Sequence, residues 1–182
     1  MKFTPTNIPD VILVEPQLFG DARGYFMETY QARAFAEAGI AVNFVQDNQS
    51  GSRQGTLRGL HYQVENPQAK LLRVVKGEVY DVAVDLRRSS PTFGHYSAAR
   101  LSSENRCELF VPAGFAHGFY VLSEWAEIAY KASDFYNPQA ERCLLWNDPT
   151  LNIPWPLTPG VETVLSAKDA RGLPLAQAET FA

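Results

Sequence analysis

"KLLRVVKGEVYDVAVDL", residues 70–86, is the stretch on which the fold turns. Two β-rich arms flank Lys76 and Gly77, and glycine takes the positive φ that tight turns need, so the local reading is a hairpin. In the second arm Tyr80, Val82, Val84 and Leu86 share one face and Asp81, Ala83 and Asp85 the other, because side chains alternate along a strand.

Outward from this stretch the pattern repeats. Short runs rich in Val, Leu, Tyr and Phe recur between turn residues: 11–15, 24–30, 42–47, 57–63, 69–75, 78–86, 96–101, 108–111, 118–122, 126–136 and 143–146. Such spacing predicts an all-β sandwich or barrel. One helix is expected at "QARAFAEAG", residues 31–39, with Ala and Glu in its body and Gly39 as its C-terminal stop. "NDPTLNIPWPLTPG", residues 147–160, holds four prolines and predicts an ordered loop pinned to the sandwich by Trp146 and Trp155.

With 182 residues, 46% of them apolar and 20% charged, the chain can bury a proper core, and residues 1–182 are expected to form one domain. A formal charge of −4, with Lys and Arg scattered, argues against nucleic-acid or membrane-surface partners, so any anionic ligand must be held by a local cluster. No signal-peptide pattern or long apolar run is visible, which predicts a cytoplasmic protein. Cys107 and Cys143 stand alone in strand-like contexts and read as two buried thiols, neither a disulfide nor a metal site.

The chain has three histidines. His95, in "FGHYS", reads as an exposed or half-exposed strand residue beside a turn. "VPAGFAHGFYV", residues 111–121, sets Pro112, Gly114 and His117 at the spacing of the second motif of the cupin barrels, which it resembles. In that fold a turn lifts the histidine into the barrel mouth, and the barrel interior serves as a pocket. The competing reading is a core histidine next to a turn.

A metal-binding cupin would add two closely spaced histidines and a glutamate from its first motif. Here "GLHYQ" follows His61 with Tyr62 and Gln63, and Gln63 is a poor ligand for iron or zinc. The pocket is therefore read as holding no metal and no cofactor. Its chemistry must come from side chains: His61, Lys70, Tyr130 and a carboxylate form a general acid/base set. Histidine exchanges protons near neutral pH, lysine places a positive charge where an oxyanion develops, and tyrosine can deliver a proton to a strongly basic carbanion.

Nearly the whole chain resembles the dTDP-4-dehydrorhamnose 3,5-epimerase family of metal-free cupin enzymes. The resemblance is carried in order by "FGDARGYFMETY" (19–30), "FVQDNQS" (44–50), "LRGLHYQ" (57–63), "QAKLLRVVKGEVYDVAVDLR" (68–87), "SPTFG" (90–94), "VPAGFAHGF" (111–119), "YKASDFY" (130–136), "LWNDP" (145–149) and "LSAKDA" (165–170). It implies a double-stranded β-helix, the cupin jelly roll, with a short helix and an irregular C-terminal segment. It implies a thymidine-diphosphate 4-keto-6-deoxyglucose as substrate, inverted at C3 and C5 on either side of the C4 ketone through an enolate.

By the same resemblance His61 is the base, oriented by Asp169; Tyr130 is the acid across the ring; Lys70 stabilises the enolate oxygen. Arg23, Glu28, Gln46 and Asn48 would handle the thymidine end, with Arg58, His117 and Lys168 near the phosphates and sugar. Glu141 would reach hydroxyl groups and Tyr136 would stack on sugar or base. A homodimer with exchanged N-terminal strands is implied as well.

Strict alternation sends Arg58 and His61 to opposite faces, since they are three residues apart. Gly59 between them offers a way out: a bulge would add a residue and turn both side chains into one pocket. An irregular strand at Gly59 is therefore expected.

Overall fold

The computed structural model describes residues 1–182. The chain forms β1 (Lys2–Pro5), β2 (Ile12–Glu15), β3 (Leu18–Asp21), β4 (Gly24–Met27), α1 (Ala32–Glu37), β5 (Gln46–Arg53), β6 (Leu57–Gln63), β7 (Lys70–Lys76) and β8 (Glu78–Asp85). These are followed by β9 (Tyr96–Ser102), β10 (Glu108–Val111), β11 (Phe115–Val121), β12 (Trp125–Ala132) and β13 (Glu141–Cys143). Two one-turn 3-10 helices, Asp169–Arg171 and Leu175–Gln177, interrupt an otherwise irregular C-terminal segment.

Two antiparallel sheets make the sandwich. One runs β1-β2-β10-β7-β12-β5 and the other β13-β6-β11-β8-β9; β3 and β4 form a separate ribbon. From β5 onward consecutive strands mostly alternate between sheets, the winding of a jelly roll. The hairpin read from residues 70–86 is corrected: β7 and β8 belong to different sheets and do not pair. Gly77, at φ 77°, turns the chain across the sandwich, and a Cβ there would strike the Trp125 carbonyl oxygen. The reason lies in the faces. Leu72 and Val74 of one arm and Val79 and Ala83 of the other all enter the same core, so the arms must face each other rather than lie side by side.

The alternation read in β8 holds, and both its faces are buried. Val79 and Ala83 point into the sandwich, joined by Leu109, Phe119 and Ile128. Tyr80, Val82, Val84 and Leu86 point outward and are covered by Leu151, Ile153, Trp155 and Phe181 of the C-terminal segment. Of the two tryptophans expected to pin the proline-rich loop, Trp155 does so, packing edge-on against Tyr80 at 6.0 Å, while Trp146 enters through its backbone carbonyl, which accepts from Trp155 Nε1 at 2.8 Å. The outer face of the six-stranded sheet is closed by α1, whose Phe35 packs with Val14, Leu71 and Phe110. Gln31 caps α1 by accepting from the Ala34 N–H at 2.7 Å, and Gly39, at φ 86°, ends it.

Other expectations need adjustment. The strand placed at 42–47 runs instead from Gln46 to Arg53, and the one placed at 126–136 ends at Ala132. Cys107 and Cys143 are free but half-buried, not buried. His95 is exposed, just before β9 and outside it. No helix is long and apolar enough to cross a membrane.

Candidate active site

Between the two sheets lies a cavity of about 420 Å³. The five-stranded sheet contributes Arg58, His61, Gln63, His117 and Phe119; the six-stranded sheet contributes Gln46, Asn48, Ser50, Lys70, Ile128 and Tyr130; Tyr136, Glu141 and Lys168 stand at the rim. His61 and Tyr130 therefore reach one space from opposite walls.

The expected irregularity of β6 is present. In its pairing with β11, His61 lies opposite His117 and Arg58 opposite Phe119, so β6 uses one residue more than its partner over the same span. Gly59 sits at this bulge with φ 110°, where a Cβ would come within 2.6 Å of the Gly118 Cα and the His117 carbonyl oxygen. Only glycine meets both conditions. The extra residue resets the parity, and Arg58 joins His61 in the cavity wall. Arg58 is steadied there by its Nε, which donates to the Ser52 hydroxyl at 2.9 Å.

Each cavity histidine is held by its own carboxylate. His61 Nε2 lies 2.5 Å from Oδ1 of Asp169, which is buried in the 3-10 turn after Lys168. The second oxygen of Asp169 accepts from the Ser166 hydroxyl at 2.7 Å. Burial pushes the Asp169 carboxyl up, but the hydrogen bonds from His61 and Ser166 outweigh it and hold the group below its ordinary pKa. On the next strand His117 Nε2 bonds both oxygens of the fully buried Asp81, at 2.9 and 3.0 Å.

His61, Cys143 and Asp169 bring one potential ligand atom each within 4.8 Å of one another. Two ligands of a tetrahedral zinc, with bonds near 2.0 Å, stand roughly 3.3 Å apart. His61 and Asp169 approach more closely than two such ligands would and are joined by a hydrogen bond instead.

Lys70, at the start of β7, makes no ion pair; burial lowers its ammonium to about 8, with Asp81 and Glu141 resisting the fall and Lys168 adding to it. Tyr130, on β12, is half-buried, and burial raises its phenol, with Arg58 opposing. At the rim Glu141 accepts from Lys168 Nζ at 2.6 Å and from the Tyr136 hydroxyl at 2.8 Å. Burial pushes Glu141 up, but these two bonds bring it below its ordinary pKa.

The structure therefore gathers His61, Asp169, Lys70, Tyr130, Gln46, Asn48, Arg58, His117, Tyr136, Glu141 and Lys168 in and around one cavity. Tyr136 gets there by another route than strand parity, since β12 stops before it. Gln46 spends its amide on Asn48, at 2.9 Å, and on the Tyr136 N–H, at 3.1 Å. Arg23 and Glu28 are not brought to this cavity. Both are exposed near the β3-β4 ribbon, and Arg23 pairs with Asp21 at 2.6 Å. Asp81, Gln63 and Ser166 are site-supporting residues the sequence reading did not select. The only signal for Asp81 was a carboxylate on a strand too apolar to expose it.

The family model described as dTDP-4-dehydrorhamnose 3,5-epimerase matches residues 5–177. The dTDP-4-dehydrorhamnose 3,5-epimerase of Pseudomonas aeruginosa is 58% identical over 182 residues, spanning 100% of this chain and 99% of that protein. The crystal structure of the Legionella pneumophila dTDP-6-deoxy-D-glucose-3,5-epimerase, in complex with dTDP-4-keto-L-rhamnose, superposes with a TM-score of 0.94 at 47% identity. It covers 98% of this chain and 94% of its own. A 3'-monoepimerase from Streptomyces bikiniensis, in complex with dTDP-quinovose, is more distant: 32% identity, TM-score 0.87, 94% of this chain and 87% of its own. The bulged strand, the carboxylate-held histidine and these full-length similarities agree: the chain belongs to the dTDP-4-dehydrorhamnose 3,5-epimerase family.

Proposed function

We propose that this chain is a cytoplasmic isomerase of dTDP-L-rhamnose biosynthesis that converts dTDP-4-dehydro-6-deoxy-D-glucose into dTDP-4-dehydro-L-rhamnose by inverting C3 and C5. The observation that carries the reading is the entry of His61 and Tyr130 into one cavity from opposite sheets, with His61 oriented by Asp169. Both reacting carbons flank the C4 ketone, which makes their protons acidic. His61, aligned by Asp169, removes the proton, and Lys70 places its positive charge near the enolate oxygen that forms. Tyr130 returns a proton from the other face, which inverts the carbon; its raised pKa keeps the phenol protonated until the carbanion calls for it. Arg58 and Lys168 supply positive charge near the diphosphate and sugar, with His117 beside them, and a local cluster is needed because the chain is acidic overall.

The active unit is read as a homodimer, residues 1–182 of each copy forming one domain. Leu18, Phe19, Tyr25 and Phe26 are exposed on the β3-β4 ribbon, and a lone two-stranded ribbon with bare aromatics is marginal in water. A second copy that received it would also receive Arg23 and Glu28 at its thymidine end.

Incubation with the substrate in heavy water tests the reaction. Deuterium at both C3 and C5 with the L-configured product is expected; a product without ring deuterium would end this reading. Inversion at C3 alone is the second reading, favoured by the similarity to the Streptomyces bikiniensis monoepimerase, and NMR of the product separates the two.

A further inference from the structure

β12 ends at Ala132, and the chain leaves the sheet before it reaches Tyr136, a residue 53% exposed at the cavity rim. An aromatic on such a loop has no strand to aim it. Two glutamines from opposite sheets supply the missing constraint. Gln46 of β5 accepts the Tyr136 N–H at 3.1 Å. Gln63 of β6, only 4% exposed, brackets the same residue: its Nε2 donates to the Phe135 carbonyl at 3.3 Å and its Oε1 accepts the Asn137 N–H at 2.9 Å. The Nε2 also donates to the Asn66 carbonyl at 2.9 Å, which ties in the turn after β6.

A buried amide costs stability unless its polar atoms are paired, so a leucine here would give the simpler strand. The amide is explained by what it holds. Gln63 is two positions from His61 on one strand face, and its bonds to Phe135 and Asn137 tie the peptide of Tyr136 to the strand that carries the base. We propose that Gln63 is a positioning residue for the epimerisation, fixing Tyr136 over the sugar in register with His61. This rests on the reading of Tyr136 as a residue that meets the substrate.

A double-mutant cycle tests it. Gln63→Leu is expected to lower kcat/KM about tenfold or more, as small misplacements in an active site do. In a Tyr136→Ala background the same change should lower it no further. Hydrogen exchange supplies a readout without turnover: the amides of residues 135–137 should exchange faster in Gln63→Leu, while those of β8 and β11 keep their protection. Gln63→Glu, which keeps the length and the acceptor for Asn137, serves if the leucine variant fails to fold and should show the same pattern more weakly. The proposal is overturned if the loss persists in full without the Tyr136 side chain, since Gln63 would then act elsewhere. It is also overturned if Tyr136→Ala epimerises at the wild-type rate, in which case the reading of Tyr136 fails with it.

Discussion

The Asp169 carboxylate meets the His61 imidazole at 2.5 Å although 108 residues separate the two. Asp169 comes from the irregular C-terminal segment, and the Gly59 N–H, beside the bulge, also points at its Oδ1 from 3.4 Å. The feature that turns Arg58 inward thus also helps to seat the group that aims His61.

Asp169→Asn should reduce turnover by about a hundredfold or more, because the ring loses its orienting charge while its place in the wall is kept. The same variant reports on acid stability. The folded pKa of Asp169 lies below its unfolded value, so its stabilisation is complete above the unfolded value near pH 4 and disappears as pH falls through the folded one. Melting curves of wild type and Asp169→Asn should therefore differ at pH 6 and converge toward pH 3; a constant gap would contradict the assignment.

Lys70 behaves in the opposite sense. Its ammonium is depressed from 10.5 to about 8, so between those values the unfolded chain binds the extra proton and stability rises with pH. Lys70→Met should raise stability at neutral pH, by up to about 3 kcal/mol, while impairing catalysis. Activity of the wild type should fall as pH rises through about 8, and that limb should be absent from the residual activity of the variant. A pH-rate profile on both proteins checks it.

Tyr130→Phe separates proton removal from proton return. Ring deuterium should still exchange in heavy water, whereas inversion slows by roughly a hundredfold, the usual weight of a general acid. His61→Asn should stop exchange at both carbons. Exchange at the wild-type rate in His61→Asn would remove it as the base.

Gly59→Ala places a methyl group 2.6 Å from the Gly118 Cα at a φ that L-residues avoid. The bulge should flatten or the pairing with β11 part, with a loss of about 2 kcal/mol or more. Binding of dTDP should weaken with it, because Arg58 leaves the wall. Calorimetric titration with dTDP, beside thermal melting, measures both.

On the proposed homodimer, wild type should sediment as a dimer and Phe19→Ser with Phe26→Ser as a monomer; a monomeric wild type would contradict the proposal. Activity should fall in the same variant, since Arg23 and Glu28 would no longer reach a neighbouring cavity.

Much of this molecule is legible in its residues. The alternation of β8, the capped helix and the bulge at Gly59 follow from side-chain parity and from the conformations glycine alone adopts cheaply. Two failures both lie on inward faces of strands. β5 was misplaced because Gln46, Asn48 and Ser50, its inward face, line a polar cavity, and a strand without an apolar face leaves no hydrophobic period to read. Asp81 escapes notice for the opposite reason: it shares its inward face with Val79 and Ala83, and that strand reads as apolar core.

The sequence by itself determined an all-β chain and the glycine that brings Arg58 and His61 together, and it nominated His61, Lys70 and Tyr130, which meet in one cavity. Tertiary structure alone decided that the arms around Gly77 face each other across the sandwich rather than pair, that Asp81 belongs to His117, and that two glutamines hold Tyr136. Periodicity reports which face of a strand is buried, not which strand will cover it. Partners distant in sequence are chosen only when the faces close on one another.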